Sequence, residues 1–141
     1  MSDPKRPHIV FFHVRKSQEK LQKIAEIAKE HFIKREKLLI IASDQKALEF
    51  VDDLLWRIPK TSFLPHVIAD APTEDPIVLT KRRENLNQAR FLFNLCPTPL
   101  LFEDPFKKIY EFEDLSTQTK EILSKRRFAA YRQAGYHIEG Y

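Results

Sequence analysis

The sequence predicts a single three-layer α/β/α domain over residues 1–141, with a mostly parallel or mixed sheet, Rossmann-like but lacking a phosphate-binding loop. Three observations predict it. Short apolar runs alternate with amphipathic helical stretches, in the order strand, helix, strand, helix. The strands read as continuous apolar runs, the pattern of a sheet covered on both faces. Glycine occurs only at Gly135 and Gly140. The glycine turns that wrap phosphate in Walker loops and dinucleotide folds therefore cannot form.

The elements follow in order. Ile9-Val10-Phe11-Phe12-His13-Val14 is a buried-type strand. Ser17 offers an N-cap, and Leu21, Ile24, Ala25, Ala28 and Phe32 recur at helical spacing, which predicts a helix over about 17–35. Leu38-Leu39-Ile40-Ile41-Ala42 is the second strand. Ser43 or Asp44 caps a second helix with the stripe Ala47, Leu48, Val51, Leu54, Leu55 and Ile58, ended by Pro59. Strand, helix, strand implies right-handed crossovers. Further strands are expected at Val67-Ile68-Ala69, at Ile77-Val78-Leu79, from Ala89 to Leu95 and from Lys108 to Phe112. Pro72 and Pro76 bracket one turn, and Pro97, Pro99 and Pro105 punctuate a loop. A last helix runs from about Ser116 to Ala134, where Gly135 suits a left-handed cap.

Composition narrows the function. The 43% hydrophobic and 31% charged residues describe a soluble globular chain. No window is apolar enough to span a membrane, and residues 1–7 lack the core of a signal peptide. Cys96 is alone, which excludes an intramolecular disulfide and a C-x-x-C motif and fits a reducing, cytoplasmic setting. A net charge of +4 permits an acidic partner or nucleic acid without demanding either.

Catalytic signals are weak. His8, His13, His31, His66 and His137 show no metal-ligand spacing, and His8 and His13 should face opposite sides of a strand, so neither metal nor cofactor is expected. Asp52 and Asp53 splay from a helix into solvent. Asp70 follows a strand at the carboxyl edge of the sheet, where a small-molecule enzyme would bind its ligand, but no glycines or partners join it. Cys96 has no base beside it in sequence and reads as a packed thiol.

The C-terminal helix stands out. With Leu123 at the centre of a wheel turning about 100° per residue, Arg127, Ala130 and Ala134 share its face, which should pack on the sheet. Phe128, Lys125 and Arg132 fall opposite, with Tyr131 on the flank. A large aromatic between two cations reads as a socket for something apolar and anionic. The alternative is that Phe128 packs under a loop or the tail while the cations solvate the helix. Residues 115–141 carry five cations against two carboxylates, a balance of +3. Lys81-Arg82-Arg83 form a second basic group, either a phosphate contact or a solvated turn. Trp56, Phe63 and Leu64 cluster around a helix end and loop, as a partner surface or as one edge of the core.

These stretches carry a resemblance. Leu54-Leu55-Trp56-Arg57 through Pro59, then Ser62-Phe63-Leu64-Pro65-His66, and Arg127-Phe128-Ala129-Ala130-Tyr131-Arg132-Gln133-Ala134-Gly135-Tyr136 resemble the chi subunit family of bacterial DNA polymerase III. The order of elements agrees over nearly the whole chain, and about 72–112 matches in pattern alone. The resemblance implies a non-catalytic adaptor that links the clamp loader to the acidic C-terminal tail of single-stranded-DNA-binding protein, a tail ending in Pro-Phe. It implies tail contacts at Lys125, Phe128, Tyr131, Arg132, Gly135 and Tyr136. A second surface at Trp56, Phe63 and Leu64 would take a psi subunit or, in the alternative, a DNA-repair helicase. Direct nucleic-acid binding would be weak at most, and no membrane is involved. Ala129 stands where members can carry a basic residue, and Phe128 replaces a tyrosine-type ring, so one cation of the expected contact is missing.

Overall fold

The computed structural model describes residues 6–57, 64–103 and 106–140. The apolar runs fold as β1 (His8–Val14), β2 (Leu38–Ile41), β3 (Val67–Ile68), β4 (Ile77–Thr80), β5 (Phe91–Asn94) and β6 (Lys108–Asp114). Between them lie α1 (Ser17–Lys34), α2 (Gln45–Arg57) and α3 (Gln118–Gln133), and β7 (His137–Glu139) follows α3. All neighbouring strands are parallel, in the order β3-β4-β2-β5-β6-β1-β7. A mostly parallel or mixed sheet was the expectation, and the sheet is wholly parallel.

Both faces are covered, which explains the unbroken apolar strands. Val14, Leu38, Ile40, Ile77, Leu79 and Phe93 pack toward α1 and α2. Ile9, Phe11, Leu39, Ile41, Val78 and Leu92 pack toward α3 with Tyr131. Burying each such side chain is worth about 1.5–3 kcal/mol. The chain crosses from β1 to β2 through α1 and leaves a gap that β5 and β6 later fill. Connections from β1 and β2 run on one face of the sheet, and those from β5 and β6 on the other. This change of side, at the carboxyl ends of the strands, opens a cleft there.

Caps differ in detail from expectation. Ser17 is the first helical residue of α1, not its cap. The Glu19 carboxylate instead accepts from Arg15 N (2.8 Å) and Lys16 N (2.9 Å). Asp44 caps α2 by accepting from Ala47 N at 2.8 Å, and Thr117 caps α3 by accepting from Lys120 N at 3.1 Å. At the end of α3, Tyr136 N donates to Tyr131 O and Gly135 N to Arg132 O, both at 3.1 Å. Gly135 takes φ +86°, the left-handed position of this motif. Pro59, the expected stop of α2, lies outside the described residues. β7 was not foreseen, because three residues alternating polar, apolar and polar make little signal on an edge.

Candidate functional site

The face that α3 turns to the sheet is Ser124, Arg127 and Tyr131. This corrects the wheel centred on Leu123, and the cause lies in β6. Glu111 is fully buried and must be paired. Arg127 Nε donates to Glu111 Oε1 at 3.0 Å, and its Nη atoms donate to Pro97 O (3.0 Å), Phe112 O (2.7 Å) and Ser124 Oγ (3.2 Å). The Tyr131 hydroxyl and Asn94 Nδ2 donate to Glu111 Oε2. Leu100 N donates back to the Tyr131 oxygen at 3.1 Å. Burial pushes the Glu111 carboxyl up to about 7, although Arg127, Tyr131 and Asn94 all pull it down. Burial and the neighbouring Glu111 also raise the Tyr131 hydroxyl. This network clamps α3 and the loop after β5 onto the sheet.

Phe128 sits on the flank of that stripe, not opposite the core. One side of its ring packs in the core layer, edge-on to Phe11 at 6.2 Å between centroids, and the residue stays half-buried. Lys125 and Arg132, one turn to either side, are exposed. Lys125 Nζ already pairs with Glu121 at 2.9 Å. That bond, with the nearby Glu113 charge, raises the ammonium above its ordinary value. Tyr131 is 0% exposed and Tyr136 is 5% exposed. They stack at 5.5 Å, with the Arg6 guanidinium 5.2 Å over the Tyr136 ring. Both tyrosines lie beneath the outer surface of α3. The space above Gly135 is open, since a Cβ there would meet nothing within 4 Å. Of the expected tail residues, then, Lys125, Phe128, Arg132 and Gly135 share an accessible surface, and Tyr131 and Tyr136 form its floor.

The second expected surface divides. Trp56 is 48% exposed, its ring 4.4 Å from that of His66. Leu64 is buried at 3% in the core and is no surface residue, which corrects its grouping with Trp56. Phe63 lies outside the described residues. His66 bonds to Leu64 O (2.8 Å) and Asp52 Oδ1 (3.0 Å), so Asp52 turns inward while Asp53 pairs with Arg57 at 2.9 Å. The expectation that both carboxylates are solvated holds for Asp53 alone. Arg82 bonds Glu84 and Asp70 O, and Arg83 donates to Thr98 Oγ1 at 2.9 Å.

A cleft of about 600 Å³ lies at the carboxyl ends of β5 and β6, where open α/β sheets bind ligands. Leu21, Val51, Phe112 and Leu123 line it, with Lys20 and Lys120. The N-termini of α1, α2 and α3 approach it; Asp44 and Thr117 each occupy one first-turn backbone donor of α2 and α3, and Glu19 occupies the N–H groups of Arg15 and Lys16 just before α1. Cys96 lies in the same wall, and burial pushes its thiol up, away from the thiolate that a nucleophile needs. Asp70 is an exposed loop residue beyond β3.

Fold and site together define a wholly parallel α/β/α domain with connections on both faces of its sheet. The chain belongs to the family described as DNA polymerase III chi subunit, HolC, whose model matches residues 7–139. It is 28% identical over 123 residues to the DNA polymerase III subunit chi of Escherichia coli (strain K12), covering 83% of this chain and 81% of that protein. It is 25% identical over 114 residues to the probable DNA polymerase III subunit chi of Rickettsia prowazekii (strain Madrid E), covering 74% and 69%. Among the described residues no helix is long and apolar enough to cross a membrane.

Proposed function

We propose that this protein is a non-catalytic, cytoplasmic adaptor of the replicative DNA polymerase III, and that it holds the acidic C-terminal tail of single-stranded-DNA-binding protein on the outer flank of α3. The observation that carries the reading is the half-buried Phe128 between exposed Lys125 and Arg132, beside the open backbone at Gly135. The terminal phenyl ring of the tail packs beside Phe128, at the outer flank of α3. Its carboxylates meet Arg132 and Lys125 through charge-assisted bonds, with Glu121 released from Lys125. Glycine at 135 lets the peptide backbone approach closely. Micromolar affinity requires only about −8.2 kcal/mol, within reach of one buried ring and a few screened ion pairs. The exposed Trp56 supports a second contact, with a psi subunit linking to the clamp loader or with a helicase.

The test is fluorescence anisotropy of a labelled acidic peptide ending in Pro-Phe, with a C-terminally amidated version as control. Saturable binding, lost on amidation and weakened by salt, supports the reading. Binding that survives Phe128→Ala combined with Arg132→Glu refutes the site.

A further inference from the structure

We propose that His8, His137 and Glu139 form a zinc site that staples the last strand of the sheet to β1. The site is invisible in the sequence because its members lie at opposite ends of the chain, and the parallel pairing of β1 with β7 brings them together. In that register His8 sits beside His137, and Val10 beside Glu139. Register partners and alternate residues share a face of a sheet, so all three side chains project from one side. His8 Nδ1 lies 3.2 Å from Glu139 Oε1, and His137 Nε2 lies 3.9 Å from the same oxygen. The two imidazole rings are 4.6 Å apart between centroids. All three ligand atoms fall within 4.8 Å of one another.

Those distances suit a metal. Zinc bonds of about 2.0–2.2 Å to nitrogen and oxygen set neighbouring ligands roughly 3.3 Å apart in a tetrahedron. Side-chain tips need to move by about an ångström at most, and these are half-exposed and unconfined, whereas the two strands beneath are fixed by backbone bonds. Two imidazoles and a carboxylate are a borderline donor set suited to zinc. Three protein ligands leave the fourth position to water or to a donor from a partner. Glu139 Oε1 already holds the His8 ring through the bond to its Nδ1, and His137 Nε2 stands 3.9 Å from the same oxygen. The other imidazole–carboxylate pair on β1, His13 with Glu113, lies on the opposite face of the strand and has no third ligand among the described residues. Zinc that binds the folded chain and not the unfolded one stabilises it by mass action, and here it would hold the segment that follows Gly135 and Tyr136.

The experiment uses tag-free full-length chain, stripped with chelator and titrated with zinc chloride by calorimetry. Histidine side-chain NMR is followed in parallel. The proposal expects one zinc per chain, joint shifts of the His8 and His137 rings, and a rise in Tm that EDTA reverses. His8→Ala or His137→Ala should weaken binding by roughly a hundredfold or more, since losing even a group that only hydrogen-bonds a ligand costs up to about that, and Glu139→Gln less. His13→Ala should leave it unchanged. Lack of saturable binding at hundred-micromolar zinc overturns the site, as does binding retained in the His8→Ala, His137→Ala double variant. Should a variant fold poorly in circular dichroism without metal, the wild-type ring shifts decide: shifts confined to other histidines overturn the site.

Discussion

Replacing Arg127 with methionine should destabilise the fold, and the loss should grow as pH rises. Methionine keeps much of the aliphatic volume but none of the bonds to Glu111, Pro97, Phe112 and Ser124. Breaking a buried ion pair by removing one partner costs about 3–5 kcal/mol. Against a usual domain stability of about 5–15 kcal/mol the variant remains folded but marginal. The pH dependence follows from Glu111, whose carboxyl is raised from 4.5 to about 7 in the fold. A raised folded value means that the native state binds the proton more tightly than the unfolded chain does. The stabilisation is complete below about pH 4.5 and is lost as pH climbs through about 7, about 3 kcal/mol over the window at 1.36 kcal/mol per unit. In wild type the loss ends there, because ionised Glu111 keeps Arg127. Without Arg127 the carboxyl rises further and the loss continues above pH 7. The gap between wild type and variant should therefore widen by up to about 1.4 kcal/mol per pH unit on the alkaline side. Urea unfolding of both proteins from acid to alkaline pH measures that gap. A gap that stays flat with pH, or one below about 1 kcal/mol throughout, would refute the account of a buried, Arg127-dependent carboxylate.

Other consequences are equally direct. Tyr131→Phe removes the hydroxyl that serves Glu111 and Leu100 N, and thermal unfolding should show a loss of about 1–3 kcal/mol with helical circular dichroism unchanged. Gly135→Ala meets no atom but must hold φ near +86°, so denaturant unfolding should show a cost of about 1–2 kcal/mol. Cys96 is buried with its thiol pushed up, so a thiol reagent such as DTNB should react slowly with native protein and promptly in urea. The proposed tail affinity should fall between low and moderate salt, since Lys125 and Arg132 act from exposed positions.

Much of the architecture was legible in the sequence because burial on both faces writes itself as apolar runs. β2, β4 and β5 are buried at every position, and their runs were read directly. The stripes of α1 and α2 were legible for the same reason. The inner face of α3 was not. Its buried members Ser124, Arg127 and Tyr131 all carry polar atoms, so hydrophobic periodicity centred the helix on Leu123. Only the demand of Glu111, far away on β6, explains an arginine inside. Of the candidate site, the neighbourhood of Phe128, Lys125 and Arg132 was legible from helical spacing alone. The burial of Tyr131, Tyr136 and Leu64 was not, because it depends on what lies across the sheet. The His8, His137 and Glu139 cluster depends on strand order, which local pattern does not encode.

The strand order also sets a timetable. β1 precedes every other described strand and helix, yet both of its partners come late: His8 pairs with Lys108 on one side and His137 on the other. At roughly 5–20 residues per second, the hundred residues that separate β1 from β6 take on the order of 5–20 seconds to synthesise. Throughout that interval both edges of β1 stay open, Val10 and Phe12 have the apolar face of α1 beside them, and Ile9 and Phe11 wait on the other face for α3. An unpaired apolar strand is a template for the wrong partner. During biosynthesis, therefore, the nascent chain should draw chaperones to β1, and any interruption before Lys108 leaves a fragment in which β1 finds neither of its neighbours.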